Sequence, residues 1–276
     1  RLRSAPFCSK SGVPAVIDIV DSMALLNTRR QEFERNPARL IYGFIDTPRL
    51  LSYERALEEE FGAVIVNSED DASYLGISKI YALANGSDGK RRKTARRKNV
   101  FTAGFFGNME YPPNMDAAVY FVKNVWKKHF GSDNNVRLIL AGDRRGALKR
   151  LAGGNILIKG YVEDIDSEIS SWDVSLVPVR YGAGRQNKIM KSWSCGVPVI
   201  SSAFAAKGVY GRHGKNMMIA GKDEDYAAFI RRLMADLKLA KRIAAGGMAE
   251  VKRRFSWEKS GSMLEKILKK NAKGKK

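Results

Sequence analysis

Short apolar runs alternate along the chain with longer stretches in which apolar side chains recur every three or four positions. Pro14 to Val20, Ala63 to Asn67, Lys79 to Leu83, Val100 to Ala103, Val136 to Ala141 and Ile156 to Ile158 have the length and content of buried strands. Val174 to Val179, Val197 to Ser201 and Met217 to Ile219 continue the series. Between them lie helical patterns. Leu40 to Phe61 carries Leu40, Phe44, Leu51, Leu57 and Phe61 on one stripe, with Pro48 predicting a break or kink and Gly62 a stop. Glu69 to Leu75 predicts a short helix. The segment after Pro113 places Ala118, Phe121, Val122, Val125 and His129 at helical spacing, and Trp126 lies beside them. From Asp223 an acidic first turn opens a helix that buries Tyr226, Phe229, Ile230, Leu233 and Met234. Strands and helices in this alternation predict an α/β protein with doubly wound parallel sheets.

The rhythm is interrupted once. Asn85 to Gly89 is rich in turn formers, and Lys90 to Lys98 is almost entirely Lys and Arg. This predicts residues 1–89 as a partial N-terminal Rossmann-like domain and residues 90–98 as a basic linker. Residues 99–258 form a complete C-terminal one, and 259–276 a helix with a basic tail.

The densest chemistry falls after the Val174 strand. Gly182 and Gly184 permit positive φ or a close backbone approach. Asn187 opens a helix that Gly196 closes, and Val197 starts the next strand. In a βαβ unit this loop sits at the carboxyl edge of the sheet, where ligands bind. Free N–H groups at the helix start, with Arg185 and Lys188 beside them, suit a phosphate or diphosphate. Asp18 and Asp21, at the end of the first strand, occupy the equivalent edge; Asp21 or Ser22 can equally serve as a helix cap.

Composition narrows the partners. The chain has 276 residues, 44% of them apolar, enough for one large or two modest domains. It has no apolar run near membrane-spanning length and no signal-peptide pattern at its start. Cys8 and Cys195 are isolated thiols without metal-ligand spacing, as expected in a reducing cytoplasm. A formal charge of +20 attracts nucleic acid, anionic lipid or anionic substrates without choosing among them. The basic runs lack interleaved aromatics and any nucleic-acid reader motif, which argues against specific nucleic-acid binding.

The run Gly182-Ala183-Gly184-Arg185-Gln186-Asn187-Lys188-Ile189-Met190-Lys191, followed by Cys195-Gly196-Val197-Pro198-Val199-Ile200, resembles the donor-site signature of glycosyltransferase family 4, of GT-B fold. It is most similar to bacterial exopolysaccharide-type sugar transferases. The resemblance extends to Phe105 through Asn114, to Asp18 through Ser22, and to Tyr53-Glu54-Arg55. It implies two Rossmann-like domains, the first incomplete here, with the family's N-terminal glycine loop and histidine before Arg1. It implies transfer of a hexosyl-type sugar, with retention, from a nucleotide-diphosphate sugar to a glycan or lipid-linked acceptor, without cofactor or metal. Peripheral contact with an anionic membrane at the inner face of a cytoplasmic location would suit the charge.

Carried over by position, Gly107 admits backbone to the diphosphate, and Asn187, Lys188 and Arg185 hold it. Tyr161 and Val162 lie near the base, Gly184 lies in the loop, and Gly208 lies beside the sugar. Asp21, Arg185 and Lys188 are the catalytic candidates. Asn108 and Asn114 stand where many members have Arg and Lys, so the positive charge falls to Lys188 and Arg185. Lys191 stands where the family has the second of two glutamates, and Ala183 where it has the first. Lysine donates where glutamate would accept from the ribose. A non-catalytic or degenerate relative is therefore the second reading. His129 is expected to be structural, and His213 lies in a glycine-rich loop.

Overall fold

The computed structural model describes residues 2–8, 13–88, 90, 92, 100–143 and 146–272. Apart from Lys90 and Arg92, the basic run at 90–98 lies outside the described residues, as does the tail beyond Ala272. The chain divides into two compact units. One comprises residues 1–86, 181–185 and 255–276; the other comprises 87–180 and 186–254.

The first unit holds α1 (Ala5–Cys8), β1 (Val16–Val20), α2 (Met23–Gln31), α3 (Pro37–Glu60), β2 (Ala63–Val66), α4 (Glu69–Leu75) and β3 (Ile80–Ala82). The three strands pair in parallel in the order β1-β2-β3. All four residues of β2 are buried, because both faces of the sheet are covered. Val64 and Val66 pack with Ile17, Ile19, Leu57, Phe61 and Leu75. Ala63 and Ile65 pack with Ile267 of the last helix of the chain, Trp257–Ala272. The C-terminal helix thus completes this unit's core, and Ser260 Oγ donates to the Ala84 carbonyl at 2.8 Å. Where the sequence predicts a break or kink at Pro48, α3 is one helix from Pro37 to Glu60. Pro48 and Phe44 are both exposed, so the carbonyl that proline cannot serve is open to water.

In the second unit β4 (Phe101–Phe106) leads into α5 (Pro112–Phe121), which runs on through a π-helical turn (Val122–Trp126) into α6 (Lys127–Phe130). Then follow β5 (Val136–Ala141), β6 (Ile156–Lys159), α7 (Ile165–Ser170), β7 (Val174–Val177), α8 (Asn187–Ser194), β8 (Val199–Ser202), α9 (Ala203–Lys207), β9 (Met218–Ala220), α10 (Asp223–Ala235) and α11 (Leu237–Arg254). The six strands are parallel, in the order β6-β5-β4-β7-β8-β9. That is the doubly wound order, and it reverses between β4 and β7, where ligands bind. β4 runs to Phe106, three residues beyond the Ala103 at which the sequence pattern ends this strand, so Gly104, expected to open the loop, lies inside it. A Cβ there would stand 2.1 Å from the Trp172 indole, which explains the glycine without a loop. The glycine turn begins at Gly107. On α8, Ile189, Met190 and Trp193 are buried, and Trp193 lies so close to Gly247 of α11 that a Cβ would stand 2.2 Å from it.

Candidate functional site

In the first unit, the end of β1 is built around buried carboxylates. Ser22 caps α2 by accepting from the Leu25 N–H at 3.0 Å, so the capping expectation falls on Ser22 and not on Asp21. The Ser22 hydroxyl donates to Glu54 at 2.6 Å, and its N–H donates to Asp71 at 2.8 Å. Val20 has φ of 70°, a strained conformation for a β-branched residue. It turns the chain so that Asp21 lies against Gly184, where a Cβ would stand 1.9 Å from Asp21 Oδ1. Gly184 has φ of 67° and donates its N–H to Asp71 at 2.9 Å. Only glycine satisfies both the conformation and the space.

Asp21 Oδ1 is buried without a hydrogen-bond partner among the described residues. Burial, then the charges of Asp71 and Asp18, push its carboxyl up to about 7. Burial also raises Asp71 and Glu54, against opposing hydrogen bonds from Ser68 and Ser22 respectively. Sequence reasoning singled out Asp21 but not Asp71, and it met Glu54 only inside a motif. Asp71 lies three residues after the N-cap Ser68, a spacing that reads as ordinary helix capping.

Arg185 is buried in the same unit. It pairs with Glu69 at 2.6 Å and donates to the Asn67 carbonyl at 3.1 Å. Arg29 donates to the Gly182 carbonyl at 2.9 Å, and Phe33 stacks on Tyr181 at 5.0 Å.

In the second unit, the loop after β4 is fixed by Asn114. Its amide donates to the Asn108 carbonyl at 2.9 Å and lies where a Cβ on Gly107 would stand 2.7 Å away. Asn114 Oδ1 is buried without a partner among the described residues. Asn108 is exposed, and its side chain accepts from the Glu110 N–H at 3.0 Å. Gly107 and Gly142 touch so closely that a Cβ on Gly142 would stand 2.1 Å from the Gly107 carbonyl oxygen. Tyr161 and Val162 follow β6, with Tyr161 exposed, and Gly208 ends α9.

Asn187 is exposed at the start of α8. Gln186, the N-cap, makes no side-chain cap, so no side chain of the N-cap occupies the first-turn N–H groups. Lys188 Nζ donates to Gln186 Oε1 at 3.0 Å and lies 6.0 Å above the Phe105 ring of β4. Although the residue as a whole is half-buried, its ammonium is withdrawn from water, and desolvation lowers it to about 8. One turn on, Lys191 pairs with Asp166 of α7 at 2.7 Å. Asp166 also lies 3.8 Å from Cys195 Sγ. Sequence reasoning set Lys191 against a missing glutamate but had no signal for its partner, which lies on another helix. His213 accepts from the Ile219 N–H at 3.1 Å and packs on Phe229. His129 is part of a helix, its Nε2 buried. Among the described residues no group of three His, Cys, Asp or Glu can hold a metal ion.

Residues 100–236 match the family described as glycosyl transferases group 1. This stretch, just under half of the chain, is what the chain shares with group 1 glycosyltransferases. The match spans the whole six-stranded sheet, from the start of β4 through α10. No curated protein sequence matches the chain. Among solved structures, TarM superposes with a TM-score of 0.72 at 16% identity, over 97% of this chain and 53% of its own. HepE of Anabaena, solved with UDP and glucose, gives 0.74 at 17% identity, over 98% and 76%. A glycosyltransferase from Rickettsia africae gives 0.69 at 14%, over 99% and 82%. The chain therefore spans about half the length of TarM. The fold is that of GT-B glycosyltransferases: parallel α/β sheets of three and six strands. No helix among the described residues is long and apolar enough to cross a membrane.

Proposed function

We propose that the protein moves a hexosyl-type sugar from a nucleotide-diphosphate sugar to a glycan or lipid-linked acceptor, with retention and without metal. The observation that carries this is the start of α8. Its first-turn amides meet no side chain from the N-cap, and the Lys188 ammonium stands over the Phe105 ring near the end of β4, the strand that leads into the Gly107 loop. Oriented N–H groups and one poorly hydrated cation stabilise the charge that grows on a leaving diphosphate. A bound diphosphate raises the Lys188 pKa again, so the lysine is charged when the donor is present. Gly107 and Asn187 bring backbone and amide donors to the phosphates, and Asn108 with Asn114 shapes the loop that does so. Tyr161 and Val162 take the base, and Gly208 takes the sugar. Asp21, near neutrality in its pKa, accepts the proton released by the acceptor hydroxyl. Arg185 serves by fixing the glycine loop through Glu69 and Asn67. HepE with UDP and glucose supports a nucleotide sugar as donor, and the charge of +20 supports an acceptor at an anionic membrane face in the cytoplasm.

The Lys191–Asp166 pair favours a second reading, a relative that binds donor without transferring it, because the ribose-accepting carboxylate is absent from α8. One experiment separates the outcomes. Thermal unfolding and lysine acylation are followed with UDP, GDP and ADP sugars, and sugar transfer is assayed in parallel. Donor at a hundred times Kd stabilises by about 2.7 kcal/mol. Stabilisation with Lys188 protection and transfer supports the enzyme. Stabilisation without transfer supports the binding protein. If no nucleotide sugar stabilises the fold or shields Lys188, the donor seat is wrong.

A further inference from the structure

The second unit contains a cavity of about 250 Å³ at the carboxyl ends of β7, β8 and β9. It lies between α5 and α10, with Tyr120, Arg180, Ser202, Phe204, Asp223 and Tyr226 among its walls. Strand order reverses between β4 and β7, so right-handed crossovers put α5 and α8 on opposite faces of the sheet. The cavity therefore lies across the sheet from the α8 helix start, and none of the residues assigned to the donor lines it.

Its chemistry is specific. The Arg180 guanidinium bonds Asp116 through two nitrogens, at 2.9 and 2.6 Å, and lies 3.9 Å above the Tyr120 ring. The Tyr120 hydroxyl donates to Asp223 at 2.8 Å. Lys222 lines the exposed rim. Arg180 and Lys222 are thus balanced by Asp116 and Asp223. In a chain of charge +20, this pocket has no net charge, which disfavours a phosphate or carboxylate ligand. What remains is a set of aromatic faces beside groups that donate and accept in fixed directions. A sugar ring offers the complement: a flat C–H face and a rim of hydroxyls that do both. The volume is below the roughly 300–1,000 Å³ of drug-sized sites and suits one ring.

We propose that this cavity is a second carbohydrate site, holding one neutral sugar residue of a glycan. It goes beyond the transfer reading, since it requires neither donor binding nor catalysis.

Saturation-transfer NMR with methyl glucoside and methyl N-acetylglucosaminide tests it, with uridine as the third probe. Single sugars bind weakly, so millimolar concentrations are used. Ala203 lies exposed at the cavity wall, and Ala203→Trp fills the opening. The expected result is transfer to the sugar ring protons, reduced at least tenfold by Ala203→Trp. Tyr120→Phe, which removes one hydroxyl, weakens binding about three- to tenfold. Lys188→Ala leaves the sugar signal unchanged, whether or not the donor reading holds. Circular dichroism confirms that each variant is folded. The proposal is overturned if neither glycoside shows saturation transfer. It is also overturned if the signal survives Ala203→Trp in folded protein, is lost with Lys188→Ala, or is displaced by uridine.

Discussion

Replacing Asp21 with asparagine should stabilise this protein while disabling it. The folded state holds the Asp21 proton up to about pH 7, against 3.8 for a free carboxyl. At about 1.36 kcal/mol for each tenfold step, that interval sets a ceiling of about 4 kcal/mol on the cost of burying the charge. Asp71 shares the site and adjusts with it, so we expect roughly 2 kcal/mol to be realised. Between pH 3.8 and 7 the folded state binds more protons than the unfolded chain, so this group's contribution to stability declines as pH rises and is level above 7. Asparagine keeps the shape, carries no charge and removes that dependence. Urea unfolding of wild type and Asp21→Asn from pH 4 to 8.5 measures it. The difference in stability should be near zero at pH 4, should grow through the window and should be constant above 7. Glu54 titrates in both proteins and cancels in the difference, whereas the part of the Asp71 titration that depends on the Asp21 charge remains in it. Transfer activity, if Asp21 takes the acceptor proton, should fall at least a hundredfold. A stability difference that is the same at every pH would refute the burial argument. Full activity in the stabilised variant would refute the role.

Other expectations follow from the same geometry. The kcat/KM profile should be bell-shaped with flanks near 7 and 8, rising as Asp21 loses its proton and falling as Lys188 loses its own; a flat profile across that range contradicts both roles. Lys191→Glu alone should cost about 1–3 kcal/mol, because it sets two carboxylates together where an ion pair stood, and Lys191→Glu with Asp166→Asn should recover most of it in a double-mutant cycle. Gly184→Ala should lower stability by at least about 2 kcal/mol in thermal unfolding, and by less in an Asp21→Ala background, since the new Cβ meets Asp21.

Much of the architecture was legible in the chain, because strand and helix periods are local properties. The runs at Val136 to Ala141 and Glu69 to Leu75 became elements with those bounds, and the α/β rhythm led to the parallel sheets. Gly104 stands inside a strand, and α3 continues past Pro48 without a break, for one reason. A glycine beside an indole looks the same in sequence as a glycine in a turn, and a proline in an exposed helix looks the same as one that ends it. The glycine loop and Lys188 were visible as a motif, since backbone conformation and charge belong to neighbouring residues. The company those residues keep was not. Asp71 with Gly184, Glu69 with Arg185, and Asp166 with Lys191 join positions 25 to 116 residues apart. The order of residues determines which side chains carry charge; the packing of helices and strands decides which charges are buried together, and so where their protons reside. The neutral cavity by Arg180 belongs wholly to that second level, because its balance of charge exists only once α5, α10 and three strand ends converge.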